Sequence, residues 1–211
     1  MGRTAGIGLA MATAATVAAC ATTRFNSTWK APDAQPMNLA GRKVAALVIS
    51  PDESVRLNAE GTLAREMTAR GLQGLPAYNL IPPNEARDKD KAKALFTAAG
   101  IEAVVVLRAL GQQKEISASP VTVGYWNAPY YGSFWGSGYY GHGWGAVYDP
   151  GYLRTDTIVN VETLVYDMKT DKLVWAARSQ TTNPSKVDAF IKELVKGVAA
   201  EMKKQGLIRS E

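Results

Sequence analysis

The apolar residues fall into short continuous runs and longer periodic ones, and their order predicts an α/β fold. Residues 43–49 and 102–107 are apolar almost throughout, as in strands buried on both faces of a sheet. Between them, two stretches repeat their apolar residues with helical spacing, and a short extended piece lies at residues 77–80. The periodic residues are Val55, Ala59, Leu63 and Met67 in the first stretch and Ala92, Leu95, Phe96 and Ala99 in the second. Buried strands that alternate with helices predict parallel pairing through crossovers.

The second half of the chain predicts a β-hairpin and a closing helix. Two β-rich runs, at residues 157–166 and 173–181, flank a polar turn, and Trp175 is expected on the same face as Leu173 and Ala177. The closing helix has one continuous apolar stripe. Its residues are Val187, Phe190, Ile191, Leu194, Val195, Val198 and Met202.

These elements predict one α/β domain over residues 43–209. It is an α/β sandwich with a mixed sheet of about five strands, in the order β-α-β-α-β, a long insertion, then β-β-α. Asp52 or Ser54 is expected to cap the first helix and Ser185 to open the last. The glycines that follow the periodic stretches are expected to end the three helices, and they are Gly71, Gly100 and Gly206.

The insertion, residues 124–152, differs in composition from the rest of the chain, with eight glycines and eleven aromatic residues. Glycine disfavours a helix, whereas Tyr and Trp offer large surfaces with a polar tip. A surface loop, a binding loop and a transmembrane hairpin are the alternatives, and the hairpin is disfavoured because glycine interrupts the alternating runs that it needs. The side chains expected to contact a partner are Tyr125, Trp126, Tyr130, Tyr131, Phe134, Trp135, Tyr139, Tyr140 and Trp144.

The N-terminus has the pattern of a lipoprotein signal peptide, which we assign to residues 1–19. Arg3 precedes an apolar run that is too short to span a membrane and ends in Val-Ala-Ala-Cys at Cys20. This quartet resembles the bacterial lipobox, which implies cleavage before Cys20 and acylation of its sulfur and new amino group with fatty acids such as palmitate. Each buried CH2 contributes about 0.8 kcal/mol, so the anchor is expected to be essentially permanent.

The residues after the cysteine set the expected address. Ala21 stands where sorted Gram-negative lipoproteins retained at the inner membrane have Asp, and this resemblance favours the outer membrane. Residues 20–42 are rich in Thr, Ser, Asn, Ala and Pro without a sustained apolar period, which predicts a tether. We therefore expect a lipid-anchored domain that faces the periplasm.

Charge and residue chemistry limit the function classes. The net charge of +5 is spread along the chain rather than gathered in a basic run, which argues against a nucleic-acid partner. His142 is the only histidine and lies among glycines, so the sequence predicts no catalytic triad, no metal site and no cofactor. Glu162 is expected to face outward from its strand and pair with a lysine, and Arg56 and Glu60 to form a solvated surface pair.

Several short stretches outside the insertion carry a resemblance to a known family. They are residues 28–32, 43–49, Arg56 with Glu60, 77–78, 81–82, 161–167, 172–175 and 206–208. With them the chain resembles a large family of uncharacterised bacterial envelope lipoproteins over nearly all of its mature length. The resemblance implies a fold and a location in the cell envelope rather than an activity. The order of elements is also similar to the N-terminal domain of the Tol system's translocation protein B and to the core of the curli secretion channel lipoprotein, an analogy of fold alone.

Three functional hypotheses follow from these patterns. The first is a non-enzymatic outer-membrane lipoprotein that serves as an envelope interaction or structural protein, with a protein or glycan partner. The second is a subunit of an oligomeric secretion or pore assembly. The third is an envelope polymer-binding protein that uses the aromatic insertion, because aromatic faces stack on sugar rings. An enzyme is the least favoured class.

Overall fold

The computed structural model describes residues 22–82, 84–85, 88–115, 156–184 and 186–208. The strands are β1 (Thr22–Lys30), β2 (Lys43–Ile49), β3 (Gln73–Pro76), β4 (Ala103–Glu115), β5 (Asp156–Asp167) and β6 (Lys172–Thr182). The α-helices are α1 (Glu53–Thr68), α2 (Lys89–Ala98) and α3 (Val187–Lys204), and a 3-10 turn spans Ala77–Asn79. Among these helices, none has the length and apolar character needed to cross a membrane.

Within the described residues, the strands form one six-stranded mixed sheet in the order β1-β6-β5-β4-β2-β3. β2 pairs in parallel with β3 and β4, whereas the other pairs are antiparallel. The predicted α/β fold, the parallel pairing of the two buried strands and the hairpin of β5 and β6 are confirmed. The sequence pattern did not predict β1, and it placed the short extended piece wrongly at residues 77–80. Those residues begin with the 3-10 turn, and the strand β3 comes just before them, at Gln73–Pro76.

The helices form where the polar and apolar periods predict them. The carboxylate of Asp52 caps α1 by accepting the Val55 N–H at 3.0 Å. Left-handed glycines follow the three helix ends as predicted, at Gly71, Gly100 and Gly206. Val55 differs from the prediction, because it is 38% exposed rather than buried. The predicted opening residue of α3, Ser185, lies outside the described residues.

The two faces of the sheet carry separate apolar clusters, because side chains alternate between the faces of a strand. On one face, α1 and α3 pack over the sheet, and Leu63 of α1 shares a cluster with Leu194 of α3 and Val165 of β5. On the other face, Phe96 of α2 is fully buried in a cluster with Val104 of β4. The core therefore lies on both faces of the central strands.

Strand β1 corrects the predicted tether at residues 20–42. It pairs with β6 from Thr22 opposite Thr182 to Lys30 opposite Trp175. The chain after β1 also stays in contact with the domain, since the Met37 N–H donates to the Leu207 carbonyl at 2.7 Å. The described part of the predicted tether therefore belongs to the domain, and β1 is an edge strand of its sheet.

A β-bulge explains why the sequence pattern does not reveal β1. The register shifts between Phe25 and Ser27, so Phe25 and Trp29 lie on opposite faces although four residues separate them. Phe25 lies against Gly197 of α3, where an added Cβ would stand 2.7 Å from the Phe25 ring. A small residue in α3 thus makes room for an aromatic side chain of β1.

The residue that ends α3 fixes the other half of β1. The side chain of Gln205 accepts the indole N–H of Trp175 at 3.0 Å and donates to the Thr28 hydroxyl at 2.9 Å. Its backbone carbonyl accepts the ammonium of Lys30 at 3.1 Å. One glutamine therefore links β1, β6 and the closing helix.

A second bulge corrects the predicted face of β6. Val165 lies opposite Trp175 and Tyr166 opposite Leu173, so Val174 is the extra residue. Trp175 consequently shares a cluster with Ala177 as predicted, but Leu173 lies in the cluster on the other face. The sequence alternation alone could not show this change.

Glu60 is buried, whereas the sequence pattern predicted that it forms a solvated surface pair with Arg56. Its carboxylate accepts the backbone N–H of Val48 at 3.1 Å and that of Tyr78 at 2.9 Å, and Arg56 lies 3.6 Å away. β3 pairs with β2 only as far as Ala46, so Glu60 supplies an acceptor where β2 has lost that neighbour. Burial raises the pKa of the Glu60 carboxyl, although the two N–H donors and Arg56 oppose the shift.

We expect Glu60→Leu to lower the free energy of unfolding by about 2 kcal/mol, because two backbone donors lose their acceptor. The matched control is Glu66→Leu, which removes a carboxylate from the same helix that pairs with Arg70 at the surface. The control should cost less than about 1 kcal/mol. Urea unfolding of both variants measures the difference.

The raised pKa of Glu60 gives this prediction a pH dependence. A carboxyl that binds its proton more tightly in the folded state contributes stability that is complete below its unfolded pKa. That contribution is lost as pH rises through the folded pKa. The stability difference between wild type and Glu60→Leu should therefore be largest at acid pH, and a constant difference from pH 4 to 8 would contradict the assignment.

Candidate functional site

The chain leaves and re-enters the sheet at one edge, which we call the insertion edge. It is defined by the row of residues Thr22, Thr182, Ile158 and Gln113, which lie opposite one another across β1, β6, β5 and β4. β4 ends just beyond this row at Glu115, and β5 begins at the opposite residue, Asp156. The first strand and the aromatic insertion therefore start from the same side of the domain.

Asn183 fixes the backbone at this edge. Its side-chain oxygen accepts the Thr157 N–H at 2.7 Å, and its own N–H donates to the Thr157 carbonyl at 2.7 Å. Asn183 has a φ of 51°, a left-handed conformation that asparagine tolerates better than most residues. The start of β5 is thus held to the end of β6.

A cavity of about 590 Å³ lies next to the insertion edge, between the N-termini of α1 and α3. Its lining is mainly apolar and includes Val55, Leu107, Val159 and Phe190. It lies beyond the carboxyl end of the parallel strand β2, the place where open α/β sheets commonly bind ligands. The exposure of Val55 follows from its position beside this cavity.

A second cavity, of about 670 Å³, lies between the C-terminal halves of the same two helices. It is also mainly apolar, and Thr163 of β5 lies in its lining. The Thr163 hydroxyl is buried and has no hydrogen-bond partner among the described residues. These two cavities are large enough for small ligands.

Three charged residues meet on the face of the sheet that carries α2. Arg108 of β4 and Arg178 of β6 lie on either side of Glu162 in β5, in direct register. Arg108 donates to one Glu162 oxygen through Nη2 at 2.6 Å and Nε at 3.0 Å, and Arg178 Nε donates to the other oxygen at 3.3 Å. This arrangement holds three neighbouring strands together.

The same cluster corrects the sequence prediction for Glu162. Its side chain has no exposed surface, and its partners are two arginines rather than a lysine. Burial and the nearby Glu162 carboxylate both raise the pKa of the Tyr166 phenol on the same strand, so Tyr166 stays neutral. The sequence does contain arginines at the two positions that lie opposite Glu162 on the neighbouring strands. They could have indicated its partners only if the pairing of the strands had been known.

The residues that the sequence predicts to contact a membrane or partner lie outside the described residues. They are Cys20 and the nine aromatic side chains Tyr125, Trp126, Tyr130, Tyr131, Phe134, Trp135, Tyr139, Tyr140 and Trp144. The structure instead describes the strands from which these segments leave. Among the described residues, no group of three His, Cys, Asp or Glu side chains could hold a metal ion.

Comparisons with known proteins add a likeness of fold. Neither the protein-family models nor the curated proteins that were searched match the sequence. A variant PelC dodecamer from Paraburkholderia phytofirmans is similar at 12% identity and a TM-score of 0.48, covering 90% of this chain and 99% of that one. A further PelC dodecamer structure has 10% identity, a TM-score of 0.47 and the same coverage. Lipoprotein GNA1162 from Neisseria meningitidis has 14% identity and a TM-score of 0.40 over 78% of this chain and 99% of that one.

Proposed function

We propose that the protein is a lipid-anchored lipoprotein of the bacterial outer membrane, which acts by binding an envelope component rather than by catalysis. The observation that carries the proposal is the position of β1, which starts two residues after Cys20 and pairs with β6 along its length. An acyl group on Cys20 would therefore fasten the folded sheet itself to the membrane. The domain would then lie close to the lipid, because only Ala21 separates Cys20 from the first strand.

The contacts of the buried charges support a binding role over a catalytic one. The Glu60 carboxylate accepts hydrogen bonds from two backbone N–H groups, and the Glu162 carboxylate accepts hydrogen bonds from two arginines. These contacts join β2 to α1 and β4 to β6, so they serve the fold. The polar tips and large faces of the aromatic insertion are the better candidates for contact with a partner.

Cys20→Ser tests the anchor, because an oxygen cannot replace the sulfur in the thioether. We expect the variant to remain an uncleaved precursor or to appear in the soluble fraction. Incorporation of labelled palmitate should fall to background, and density-gradient fractionation should no longer find the protein in the outer membrane. A variant that is still processed and acylated would contradict the proposal.

Substitutions at the next residue provide the matched controls. Ala21→Ser keeps the cysteine and should be acylated and fractionate as wild type. Ala21→Asp should also be acylated but should shift to the inner membrane, as its resemblance to retained lipoproteins implies. Outer-membrane location of the aspartate variant would contradict the sorting part of the proposal while leaving acylation intact.

A further inference from the structure

We infer that the second cavity, between the C-terminal halves of α1 and α3, binds a long-chain carboxylate that carries a hydroxyl group partway along its chain. The observation that carries this inference is the buried, unpaired hydroxyl of Thr163 in the cavity lining. The inference goes beyond the proposed function, because it depends neither on acylation of Cys20 nor on the aromatic insertion.

Thr163 lies on the face of β5 that α1 and α3 cover. Val161 and Val165 belong to the cluster beneath these helices, whereas Leu164 belongs to the cluster on the other face. Because side chains alternate along a strand, the side chain of Thr163 is directed towards the helices and the cavity. It is 1% exposed, and its hydroxyl has no hydrogen-bond partner within the described residues. A ligand group that pairs with this hydroxyl would remove the cost of leaving it unpaired.

The rest of the lining favours an apolar chain with an anionic end. Most of the lining is apolar, and its charged residues are Arg70 and Lys203, which are both exposed. Among the described residues, no Asp or Glu lines this cavity. Arg70 is already paired with Glu66, whereas Lys203 has no ion-pair partner in the described part of the chain. The ammonium of Lys203 is therefore available to a carboxylate at the mouth of the cavity.

The C-terminal ends of both helices lie near this mouth, and free carbonyl groups there would repel an anion. The Met67 carbonyl accepts the Leu72 N–H at 3.2 Å, and the Met202 carbonyl accepts the Leu207 N–H at 2.9 Å. These hydrogen bonds reduce the negative potential of the helix ends, so Lys203 can still attract a carboxylate.

The register of the sheet sets the expected position of the ligand hydroxyl. Ala103 lies at the mouth, because Val44 is opposite both Ala103 and Gly74, which follows the exposed turn after α1. Thr163 is opposite Leu107, four residues further along β4. At about 3.3 Å per residue, Thr163 is roughly 13 Å from the mouth. A zigzag chain with C–C bonds of about 1.5 Å advances roughly 1.25 Å per carbon, which places the ligand hydroxyl about 10 to 12 carbons from the carboxylate.

The first cavity leaves room for the carbons beyond the hydroxyl. Leu107 lines both cavities, and the lining of α3 passes from Ile191 in the first to Leu194 in the second. The cavities therefore lie end to end beneath the two helices. From Ala103 to Gly111 the lining of β4 extends roughly 25 Å. Stearate extends roughly 21 Å at the rise given above, so a chain of this length fits.

Photolabelling of the full chain, as purified from cells, can locate the site. The probe is a stearate analogue with a mid-chain diazirine, added in the presence of phosphatidylethanolamine vesicles, and labelled residues are identified by mass spectrometry. We expect labels in α1 between Leu63 and Met67 and in α3 between Leu194 and Val198. Excess 12-hydroxystearate should remove these labels. Labels found only outside the two cavities would overturn the inference.

Competition for the photolabel tests the role of Thr163. Stearate and 12-hydroxystearate differ by one hydroxyl group, and each competes with the probe in wild type and in Thr163→Val. The ratio of their half-maximal concentrations should change by at least about fivefold between the two proteins, because the variant leaves the ligand hydroxyl unpaired. Partition of the acids into the vesicles is the same for both proteins and cancels in this comparison. An unchanged ratio would overturn the pairing with Thr163.

Thr181→Val is the matched control. Thr181 is a buried threonine of β6 whose hydroxyl pairs with that of Thr23 at 2.8 Å, and it lines neither cavity. This variant should keep the wild-type ratio. Urea unfolding without ligand should show Thr163→Val to be at least as stable as wild type and Thr181→Val to be less stable. A lower urea midpoint for Thr163→Val than for wild type would show that its hydroxyl already has a partner, which would overturn the inference.

Lys203→Gln tests the anionic end of the ligand. It should weaken competition by both acids by about two- to threefold, as expected for an exposed ion pair, and leave their ratio unchanged. Lys196→Gln, at an exposed position of the same helix that lines neither cavity, should have no effect. Equal competition in wild type and Lys203→Gln would overturn the carboxylate as the ligand's head group. Each of these results leaves the assignment of the lipid anchor unchanged.

Discussion

Replacing Leu194 with aspartate should lower the free energy of unfolding by at least about 4 kcal/mol. Leu194 lies in the middle of α3, is fully buried, and shares an apolar cluster with Leu63 and Val165. The substitution removes the packing of a leucine and places a carboxylate in an apolar cluster, at a position with no exposed surface. The loss approaches the whole stability of a typical domain, so the variant is expected to be largely unfolded.

Lys196→Asp is the matched control, because it places the same residue in the same helix at an exposed position. It should cost less than about 1 kcal/mol. Circular dichroism during urea unfolding compares the two variants. Equal midpoints for Leu194→Asp and wild type would show that α3 does not pack on the sheet.

Removing the carboxylate of Glu162 is expected to have the second largest effect. Glu162→Leu leaves Arg108 and Arg178 facing each other across β5 without the charge that both contact. Loss of one partner from a buried ion pair typically costs about 3–5 kcal/mol. The side chains of Arg108 and Arg178 are 17% and 27% exposed, so water can partly solvate the charges that remain. We therefore expect a loss of about 2–4 kcal/mol.

A surface pair and a second substitution make the cause identifiable. Asp33→Leu removes a carboxylate that pairs with Lys172 in water, where Lys172 lowers the pKa of Asp33. Its urea midpoint should stay close to that of wild type, because exposed ion pairs contribute little to stability. If unpaired positive charge causes the loss in Glu162→Leu, adding Arg108→Leu should recover at least about 1 kcal/mol. Failure of the double variant to recover stability would indicate lost packing instead.

The helices and the central strands could be predicted because local rules specify them. The stripe on α3 is a simple 3.6-residue period, and Asp52 caps α1 through a contact three residues away. The run that forms β2 is apolar at every position from Val44 onward, as burial on both faces requires. None of these features depends on a distant part of the chain.

The buried carboxylates could not be predicted because their partners are distant in sequence. Glu162 and Arg108 are separated by 54 residues and meet only when β4 and β5 pair. Glu60 and Arg56 have the i, i+4 spacing of an ordinary surface pair, and burial follows only from the packing of α1 on β2. A charged residue in a sequence carries no local sign of such burial.

The sequence by itself determined the α/β class, the order of the predicted elements and the expected acylation site at Cys20, since each depends on composition or short-range periodicity. The tertiary structure decided that residues 22–30 are a strand, because they pair with β6 through a bulged register. Gly197 leaves room for Phe25, and Gln205 donates a hydrogen bond to Thr28. It also decided that this strand and the insertion start from one edge. Strand order and register set that edge, and both arise from contacts between residues far apart in the chain.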